Sequence, residues 1–543
     1  MKTYLKKHFP SDLKAGFITS IVALPLAIAF AIASGLDPIF GIYTAIIGGA
    51  VASSLAGSKF SITGPTGAMA VIILIIVNDY GLTGLLLAGF MAGVIQVILG
   101  IARLGKAASY IPIPVVSAFT AGIGMIIFIG QIANGTGINI KSHEFVGDTL
   151  REIYLALSQI KLPAIILTIM TILLLLFLPK ILKRISLLKN IPASLFPLLI
   201  SIGVVYILNP DIPLIGQIPT ALPQIHFFPI TFELVKNIFP SAFTIALLGS
   251  IEALLCAVVC DAMTATKHNS NKELVAQGVS NMVMPFFGGM PVTAAIARSA
   301  LNIREGAKTR FAGVIHSIFI LSYVLFFGTI MALIPKAFLA GVLMTVAIKM
   351  INFHKIKTIF SISKGEALIF SATFALTIFT DLVFAVQAGM VMVAFLLFYK
   401  LTKAAGVENM SDYDKNSSWI NKEIGSDDFL KKNVSVYTIY GPFFFGAMNV
   451  FEKKVTEHVD VRKPILLLRM RYVSFVDSSA IIRLKTLLSA REKEKKTVYI
   501  IGANDEIKKK MFSNLELSKI LKNEMFFKST KDAILYIKKN KTQ

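Results

Sequence analysis

The first 400 residues divide into about fourteen apolar segments separated by short polar connections. A helix needs about 20 mostly apolar residues to cross a bilayer, and most of these segments are long enough. The composition agrees, because 55% of the residues are hydrophobic and only 16% are charged. The sequence therefore predicts a helical membrane protein with many spans. The predicted segments are residues 14–33, 39–56, 65–77, 82–102, 112–133, 162–179, 191–208, 240–260, 273–287, 292–303, 310–328, 329–350, 366–383 and 385–402.

The third and tenth segments are too short to span as full helices, and each opens with a proline among very small residues. Residues 61–70 read SITGPTGAMA, and residues 288–298 read GGMPVTAAIAR. Proline suits the first position of a helix, and small residues after it leave the next N–H groups uncovered for an anion. Paired interrupted segments in corresponding halves are typical of a transport site between inverted repeats. We therefore predict an anion site here, although small residues also favour close helix packing.

Basic residues concentrate at the N-terminus and after the even-numbered segments. This bias predicts that the N-terminus and the region after the last segment are cytoplasmic. Much of the net charge of +23 then lies between spans and not on one folded face, which argues against a nucleic-acid partner. The residues concerned are Lys2, Lys6, Lys7, Lys14, Arg103, Lys106, Lys180, Lys183, Arg184, Lys189, Lys267, Lys272, Arg304, Lys308, Arg310, Lys349, Lys355 and Lys357.

The composition changes after Lys403. We predict a membrane domain over residues 1–403, a polar linker over 404–432 and a small α/β domain over 433–543. Apolar alternation indicates strands in the last region, and helical spacing lies between and after them. The predicted strands are Val434–Tyr440, Ile465–Arg469 and Thr497–Ile501, and the predicted helices are Ala480–Glu494, Asp505–Leu515 and Lys531–Lys539.

The sequence has no pattern of an enzyme or a metalloprotein. It has two cysteines, Cys256 and Cys260, both inside one apolar segment, where small buried side chains on one helix face are expected. The seven histidines are scattered, and no nucleophile–base set or phosphate-binding loop is present. We expect no cofactor and no cleaved signal peptide.

An ordered set of short motifs along nearly the whole chain resembles the sulfate permease (SulP) family, whose animal members form solute carrier family 26. The set begins with Ala23-Leu24-Pro25 through Gly41-Ile42-Tyr43 and Thr63-Gly64-Pro65-Thr66. It continues with Asp261, Glu273-Leu274, Gln277-Gly278, Phe287-Gly288-Gly289-Met290-Pro291, Arg298, Asn302 and Gly306. Gly441-Pro442-Phe443-Phe444-Phe445-Gly446 and Asp477-Ser478-Ser479 resemble parts of its C-terminal STAS domain.

The resemblance implies a seven-plus-seven inverted repeat, with a core domain that moves against a gate domain, and a cytoplasmic STAS domain. It also implies a homodimer in the inner membrane. Carried onto this sequence, it implies an anion site lined by Phe30, Thr66, Gly67, Thr293, Ala294, Ala295 and Arg298. Leu26 stands where the family often has glutamine, which leaves the substrate open. Ser479 matches a position phosphorylated in bacterial STAS proteins, and a helix N-cap by Asp477 or Ser478 is the structural alternative.

Three ionisable residues in or near the eighth and tenth segments are candidates for transport. Ionisable groups inside a membrane are costly, which makes Glu252 a functional candidate. Asp261 lies near the cytoplasmic end of the eighth segment, where a structural role is equally expected. Arg298 is expected to add positive charge to the anion site or to pair with Glu252.

The favoured function is secondary active transport of sulfate, bicarbonate or a dicarboxylate, coupled to protons. Sodium-coupled members of the family have aspartate and threonine where this chain has Glu252 and Cys256, and threonine at Ile296. A thiol and an isoleucine supply no hard oxygen ligand for sodium. A buried glutamate is able to carry a proton, since desolvation disfavours the charged form. Sodium-coupled bicarbonate symport, a passive anion channel or exchanger, and a nucleobase permease remain alternatives.

Overall fold

The computed structural model describes residues 8–105, 112–140, 146–182, 192–218, 225–380, 382–404, 406–409, 427–446 and 463–540. The chain divides into two compact units, residues 1–391 and 392–543. The predicted boundaries at 403 and 432 stay predictions. Several of the predicted basic residues, including Lys2, Lys6, Lys7, Lys106, Lys183, Arg184 and Lys189, lie outside the described residues.

The first unit is helical. Nine helices in the described part of the chain are long and apolar enough to cross a membrane. The helices before residue 405 are α1 (Phe9–Ala33), α2 (Pro38–Leu55), α3 (Gly67–Ile101), α4 (Ile113–Thr136), α5 (Val146–Leu155), α6 (Leu162–Leu182), α7 (Leu195–Leu208), α8 (Phe232–Thr264), α9 (Ser270–Val283), α10 (Ile296–Arg304), α11 (Phe311–Met331), α12 (Lys336–Met350), α13 (Phe353–Ile362), α14 (Lys364–Phe379) and α15 (Leu382–Ala404). The last of these continues past the unit boundary at residue 391.

The helices match the predicted segments when α3 is counted as two. Gly81 lies inside α3 with φ 64° and ψ −168°, a conformation that glycine adopts readily, and it separates the third segment from the fourth. α5 and α13 were not predicted. Both are ten residues long and amphipathic, and they lie in connections that the hydropathy pattern assigned to loops.

Two-residue strands precede the short half-helices. β1 (Thr63–Gly64) pairs antiparallel with β2 (Thr293–Ala294), and Thr63 lies opposite Ala294. This pair joins the third segment of the first seven to the third segment of the second seven. The predicted fold class, a polytopic helical protein with an inverted repeat and a small α/β domain, is confirmed.

The second unit contains a five-stranded sheet in the order β3-β4-β5-β6-β7. β3 is antiparallel to β4, and the other pairings are parallel. The strands are β3 (Gly406–Asn409), β4 (Val434–Phe443), β5 (Ile465–Val476), β6 (Thr497–Ile501) and β7 (Phe526–Phe527), and the helices are α16 (Asp428–Asn433), α17 (Ser478–Lys493), α18 (Asp505–Ser513), α19 (Leu517–Ile520) and α20 (Thr530–Asn540).

Both faces of this sheet are covered, as the parallel pairing requires. α17 and α18 bury Leu484 and Met511 against one face. α20 buries Ile534 against the other, together with Val436 of β4. The three predicted strands and three predicted helices are present, each with bounds within a few residues of those expected except for longer C-terminal ends of β4 and β5. The predicted linker contains β3 and the start of α16.

Candidate functional site

The two proline motifs meet at the β1–β2 pair. The Ala295 N–H donates to the Ile62 carbonyl at 3.0 Å, which extends the pairing by one step. Because the pair is antiparallel, the chain leaves it at opposite ends, into α3 at Gly67 and into α10 at Ile296. The two half-helix N-termini are thus held on one small strand pair.

The prolines do not occupy the first helical positions that we predicted. Pro65 lies two residues before α3, and Pro291 lies five residues before α10. β2 lies between Pro291 and α10, whereas Pro65 directly follows β1 and is separated from α3 by the extended Thr66. The helix caps are Thr66 and Ala295, both extended, and neither makes a side-chain cap hydrogen bond. The first N–H groups of each helix therefore stay available to an anion.

Glu252 is brought directly to the third segment. The Thr66 hydroxyl donates to Glu252 Oε2 at 2.9 Å, and this contact joins residues 186 positions apart. Glu252 lies on α8 and is partly buried, while Thr66 is 7% exposed. The predicted coupling residue therefore touches the N-cap of the first half-helix.

Arg298 places a positive charge between the two motifs. It is the third residue of α10, in the first turn of the helix, and it is 2% exposed. Its Nη2 donates to the Pro65 carbonyl at 2.8 Å, and its Nη1 has no hydrogen-bond partner among the described residues. A side chain at Gly64 would put its Cβ 2.7 Å from Nη1, so it would displace the guanidinium.

The alternative pairing of Arg298 with Glu252 is not the arrangement found. The guanidinium bonds to Pro65 and the carboxylate accepts from Thr66, and in the described part of the chain no ion pair within 4.0 Å joins the two. Since Pro65 and Thr66 are adjacent, both charges lie beside the same junction of β1 and α3.

Phe30 lies against the start of α3. A Cβ added at Gly67 would lie 3.3 Å from Phe30 Cε1 and 2.8 Å from Ile127 Cδ1. Phe30 is 5% exposed, and Leu26, one turn earlier on α1, is partly buried. The aromatic ring therefore lies beside the first half-helix terminus, and its role in an anion site stays a prediction.

The other predicted residues of the site hold its backbone. Thr293 Oγ1 donates to the Gly249 carbonyl at 2.8 Å, and Ala294 is paired with Thr63. The Cys256 thiol donates to Ser299 Oγ at 3.1 Å, and Ser299 Oγ accepts from the Ile62 N–H at 2.8 Å. Cys256 is thus part of the support beneath the strand pair. Both cysteines are buried, as predicted.

Asp261 is engaged in a loop at the end of α8. It accepts from Thr266 Oγ1 at 3.0 Å, from the His268 N–H at 2.9 Å and from His268 Nδ1 at 2.7 Å. These contacts shape the connection between α8 and α9, which is the structural role among the two that we expected.

A buried amide network that we did not assign to the site fixes the second motif. Asn281 accepts from the Val292 N–H at 2.7 Å and donates to the Val292 carbonyl at 3.0 Å and to Gln96 Oε1 at 2.8 Å. Gln96 and Asn281 are fully buried. An amide side chain within an apolar segment could have indicated this network, because buried polar groups nearly always have hydrogen-bond partners.

A second buried network fixes the first motif. Glu273 Oε2 accepts from the N–H groups of Gly57 and Ser58, each at 2.8 Å. Gln277 Nε2 donates to Thr63 Oγ1 at 2.9 Å and to Glu273 Oε1 at 3.3 Å. The resemblance included both residues, but sequence reasoning gave them no role. α9 thus positions both β1 and the loop before it.

In the second unit, Ser479 is the second residue of α17 and is partly buried. Asp477 is the N-cap, as the structural alternative expected, and accepts from the Ala480 N–H at 2.8 Å and from the Phe445 N–H at 3.0 Å. A regulatory role for Ser479 stays a prediction.

The described residues contain no cluster of three or more metal-ligating side chains. The site instead offers backbone N–H groups, a buried guanidinium and a carboxylate. Such a set recognises charge without covalent chemistry, and it fits binding of a small anion.

Comparison with known proteins agrees with this architecture. Residues 9–373 match the Sulfate permease family, and residues 430–533 match the STAS domain. The putative sulfate transporter YvdB of Bacillus subtilis is 36% identical over 97% of both chains. The bicarbonate transporter BicA of Picosynechococcus is 28% identical over 97% of this chain and 95% of its own.

Two solved structures resemble the chain. The transmembrane domain of a cyanobacterial bicarbonate transporter BicA has a TM-score of 0.62 and 29% identity, covering 71% of this chain and 97% of its own. Murine Solute Carrier 26 family member A9 has a TM-score of 0.85 at 19% identity, covering 98% of this chain and 92% of its own, and shows the fold alone. The chain belongs to the sulfate permease family, a family of multi-pass membrane transporters, and carries a C-terminal STAS domain.

Proposed function

We propose that the protein is a secondary active transporter of a small anion, sulfate, bicarbonate or a dicarboxylate. The observation that carries the proposal is the pair of half-helix N-termini held on one antiparallel strand pair beside the buried Arg298. Both termini lack side-chain caps, so their N–H groups are left for a ligand. The names of the relatives YvdB and BicA support sulfate or bicarbonate as the substrate.

We assign the coupling role to Glu252, with a proton as the coupling ion. An ionised Glu252 at the Thr66 hydroxyl repels an anion at the adjacent helix terminus, and a protonated Glu252 does not. Anion and proton therefore favour each other's binding, which is the requirement for symport.

The residues around Glu252 favour sodium as the coupling ion less than they favour a proton. The Cys256 side chain is a thiol bonded to Ser299, and Ile296 has an aliphatic side chain that is 44% exposed. Neither supplies the hard oxygen ligands that sodium requires. Sodium-coupled bicarbonate symport and a passive channel or exchanger are the alternatives that the experiment below separates.

The proposed setting follows from the charge pattern and the family. We assign the N-terminus and the STAS domain to the cytoplasm and the spans to the inner membrane. We propose that the protein forms a homodimer. We assign no nucleic-acid partner and no cofactor.

Proteoliposomes test the proposal. Labelled sulfate, bicarbonate and succinate are offered separately under an imposed inward proton gradient or an inward sodium gradient. We expect proton-stimulated uptake of at least one anion. In Glu252→Gln, which mimics the protonated side chain, we expect anion counterflow to persist while the proton stimulation is lost.

Glu233→Gln is the matched control, since Glu233 lies on the same helix but is exposed, and it should behave as wild type. Stimulation by sodium alone, or full proton stimulation in Glu252→Gln, contradicts the proton-coupled proposal. Uptake that follows the membrane voltage linearly with no coupling ion indicates a channel.

A further inference from the structure

The described part of the first unit contains a cavity of about 320 Å³ next to the candidate site. Ala70 and Val71, on the first turn after the α3 terminus, line its inner end. Ile127, whose Cδ1 lies against Gly67, also lines it. Leu74, another lining residue, lies about 10 Å along α3 from its first residue, Gly67, given the helical rise of 1.5 Å per residue. The cavity therefore starts beside the proposed anion site and leads away from it.

The cavity reaches the end of the first unit at which α1 ends and α12 begins. Its outer walls include Gly35 and Leu36, just after the C-terminal end of α1, and Lys336, the first residue of α12. With the proposed cytoplasmic N-terminus, this is the extracytoplasmic side. The space therefore forms a path from that side towards the start of α3.

Polar donors line this route. Gln131 is 5% exposed; its Oε1 accepts from Asn134 Nδ2 at 3.1 Å, and its amide nitrogen donates to no described residue. Lys336 is partly buried and forms no ion pair with a described residue. Lys161, on the same side of the membrane, is instead paired with Asp211 at 2.8 Å.

One acidic side chain, Asp37, also lines the cavity, and it is exposed. An exposed charge is screened by water and salt more than a partly buried one. Among the described residues that line the cavity, the field is therefore set mainly by Lys336.

We propose that this cavity is an anion-selective access site, in which Lys336 and the Gln131–Asn134 amide pair hold an incoming anion before it passes Ile127 to the half-helix termini. The proposal rests on the proposed function for the fate of the anion. The charge preference of the cavity is separate and is measured without transport.

Charge-selective labelling provides that measurement. Leu74→Cys places a reporter thiol in the cavity, and the two native cysteines are buried. The full-length protein in vesicles is labelled with a sulfonate-bearing and a trimethylammonium-bearing thiosulfonate. For a separation of about 10 Å in water, a unit charge would change the local concentration of each reagent about twofold in opposite directions. We expect Lys336→Gln to lower the ratio of the sulfonate labelling rate to the trimethylammonium labelling rate about fourfold. High salt should reduce this effect.

Four further variants sharpen the result. Lys336→Arg should retain the wild-type ratio, Asp37→Asn should raise it, and Lys161→Gln should leave it unchanged. Added inorganic sulfate should slow labelling in the wild-type background more than in Gln131→Leu. An unchanged ratio in Lys336→Gln, or an equal change in Lys161→Gln, overturns the proposal.

Transport kinetics give the second readout. For sulfate, with two charges, we expect Lys336→Gln to raise KM about fourfold at low ionic strength with Vmax unchanged. If wild type transports no tested anion but the labelling ratio responds to Lys336, the proposed function fails and the access site stands. If wild type transports and the ratio does not respond, only the access site fails.

Discussion

At the residue scale, single side chains decide what the strand pair presents. Arg298 is held between Gly64 and Pro65, and any Cβ at Gly64 would displace its guanidinium. Thr66 links the cap of α3 to Glu252. The site therefore depends on very small residues at the junctions and on long polar side chains that reach in from α8 and α10.

Bulky side chains at the two helix caps should block the exposed N–H groups. We expect Thr66→Leu and Ala295→Leu to lower anion uptake at least about tenfold, because each covers donors that stabilise the bound anion. Thermal stability of the purified protein should stay close to wild type for Ala295→Leu, since Ala295 is only partly buried. Uptake in proteoliposomes is the measurement.

Ala297→Leu is the control, because Ala297 lies on the same helix and is exposed. Its uptake should equal that of wild type. If Ala295→Leu transports as well as Ala297→Leu does, the half-helix termini are not the binding site.

At the element scale, α9 organises both motifs. It packs closely on α3, where a Cβ at Gly93 would lie 2.6 Å from the Gly278 carbonyl oxygen. From this helix, Gln277 bonds to β1 and Asn281 bonds to Val292, next to β2. One helix thus fixes the distance between the two half-helix termini.

Removing the Asn281 amide should destabilise the protein, because it leaves buried polar groups without hydrogen-bond partners. Asn281→Leu leaves both polar groups of Val292 and Gln96 Oε1 without their partner, at a cost of about 3 kcal/mol in the free energy of unfolding. A lowered thermal midpoint in detergent, with reduced anion uptake, is the expected result.

Asn302→Leu is the matched comparison. Asn302 is equally buried but makes one hydrogen bond, to the Phe60 carbonyl at 3.2 Å. Its loss should cost about 1 kcal/mol. Equal destabilisation by the two changes would mean that the Asn281 network does not support the site.

At the scale of the whole molecule, the chain combines a helical membrane unit with an α/β unit that contains the STAS domain. All the residues assigned to the anion site belong to the first unit, and Ser479 belongs to the second. The linker predicted over 404–432 includes β3, which pairs with β4. A truncation that respects the sheet therefore ends before Gly406.

Deleting residues 406–543 should leave anion binding intact while changing turnover or expression. The expectation follows because the strand pair, Glu252 and Arg298 make their contacts within the first unit. Binding of labelled anion to the purified truncated protein checks it, and a folded truncated protein that no longer binds would count against a purely regulatory or assembly role of the STAS domain.

The sequence by itself determined the number and approximate bounds of the spanning segments, the two small-residue motifs and strands such as Thr497–Ile501. These features are local, because hydropathy over a span and alternation over a strand are written in consecutive residues. The sequence also singled out Glu252, Arg298 and Phe30, the first as an ionisable group in an apolar segment and the others with help from the family resemblance.

The tertiary structure alone decided which groups meet. In it, Thr63 pairs with Ala294, and Glu252 accepts a hydrogen bond from Thr66 and forms no ion pair with Arg298. The two half-helices begin after the prolines and not at them. The tertiary structure also formed β7 from two residues and placed Gln131 and Lys336 in one cavity. These outcomes depend on contacts between residues far apart in the chain, and the burial that makes a hydrogen bond necessary exists only after the helices have packed.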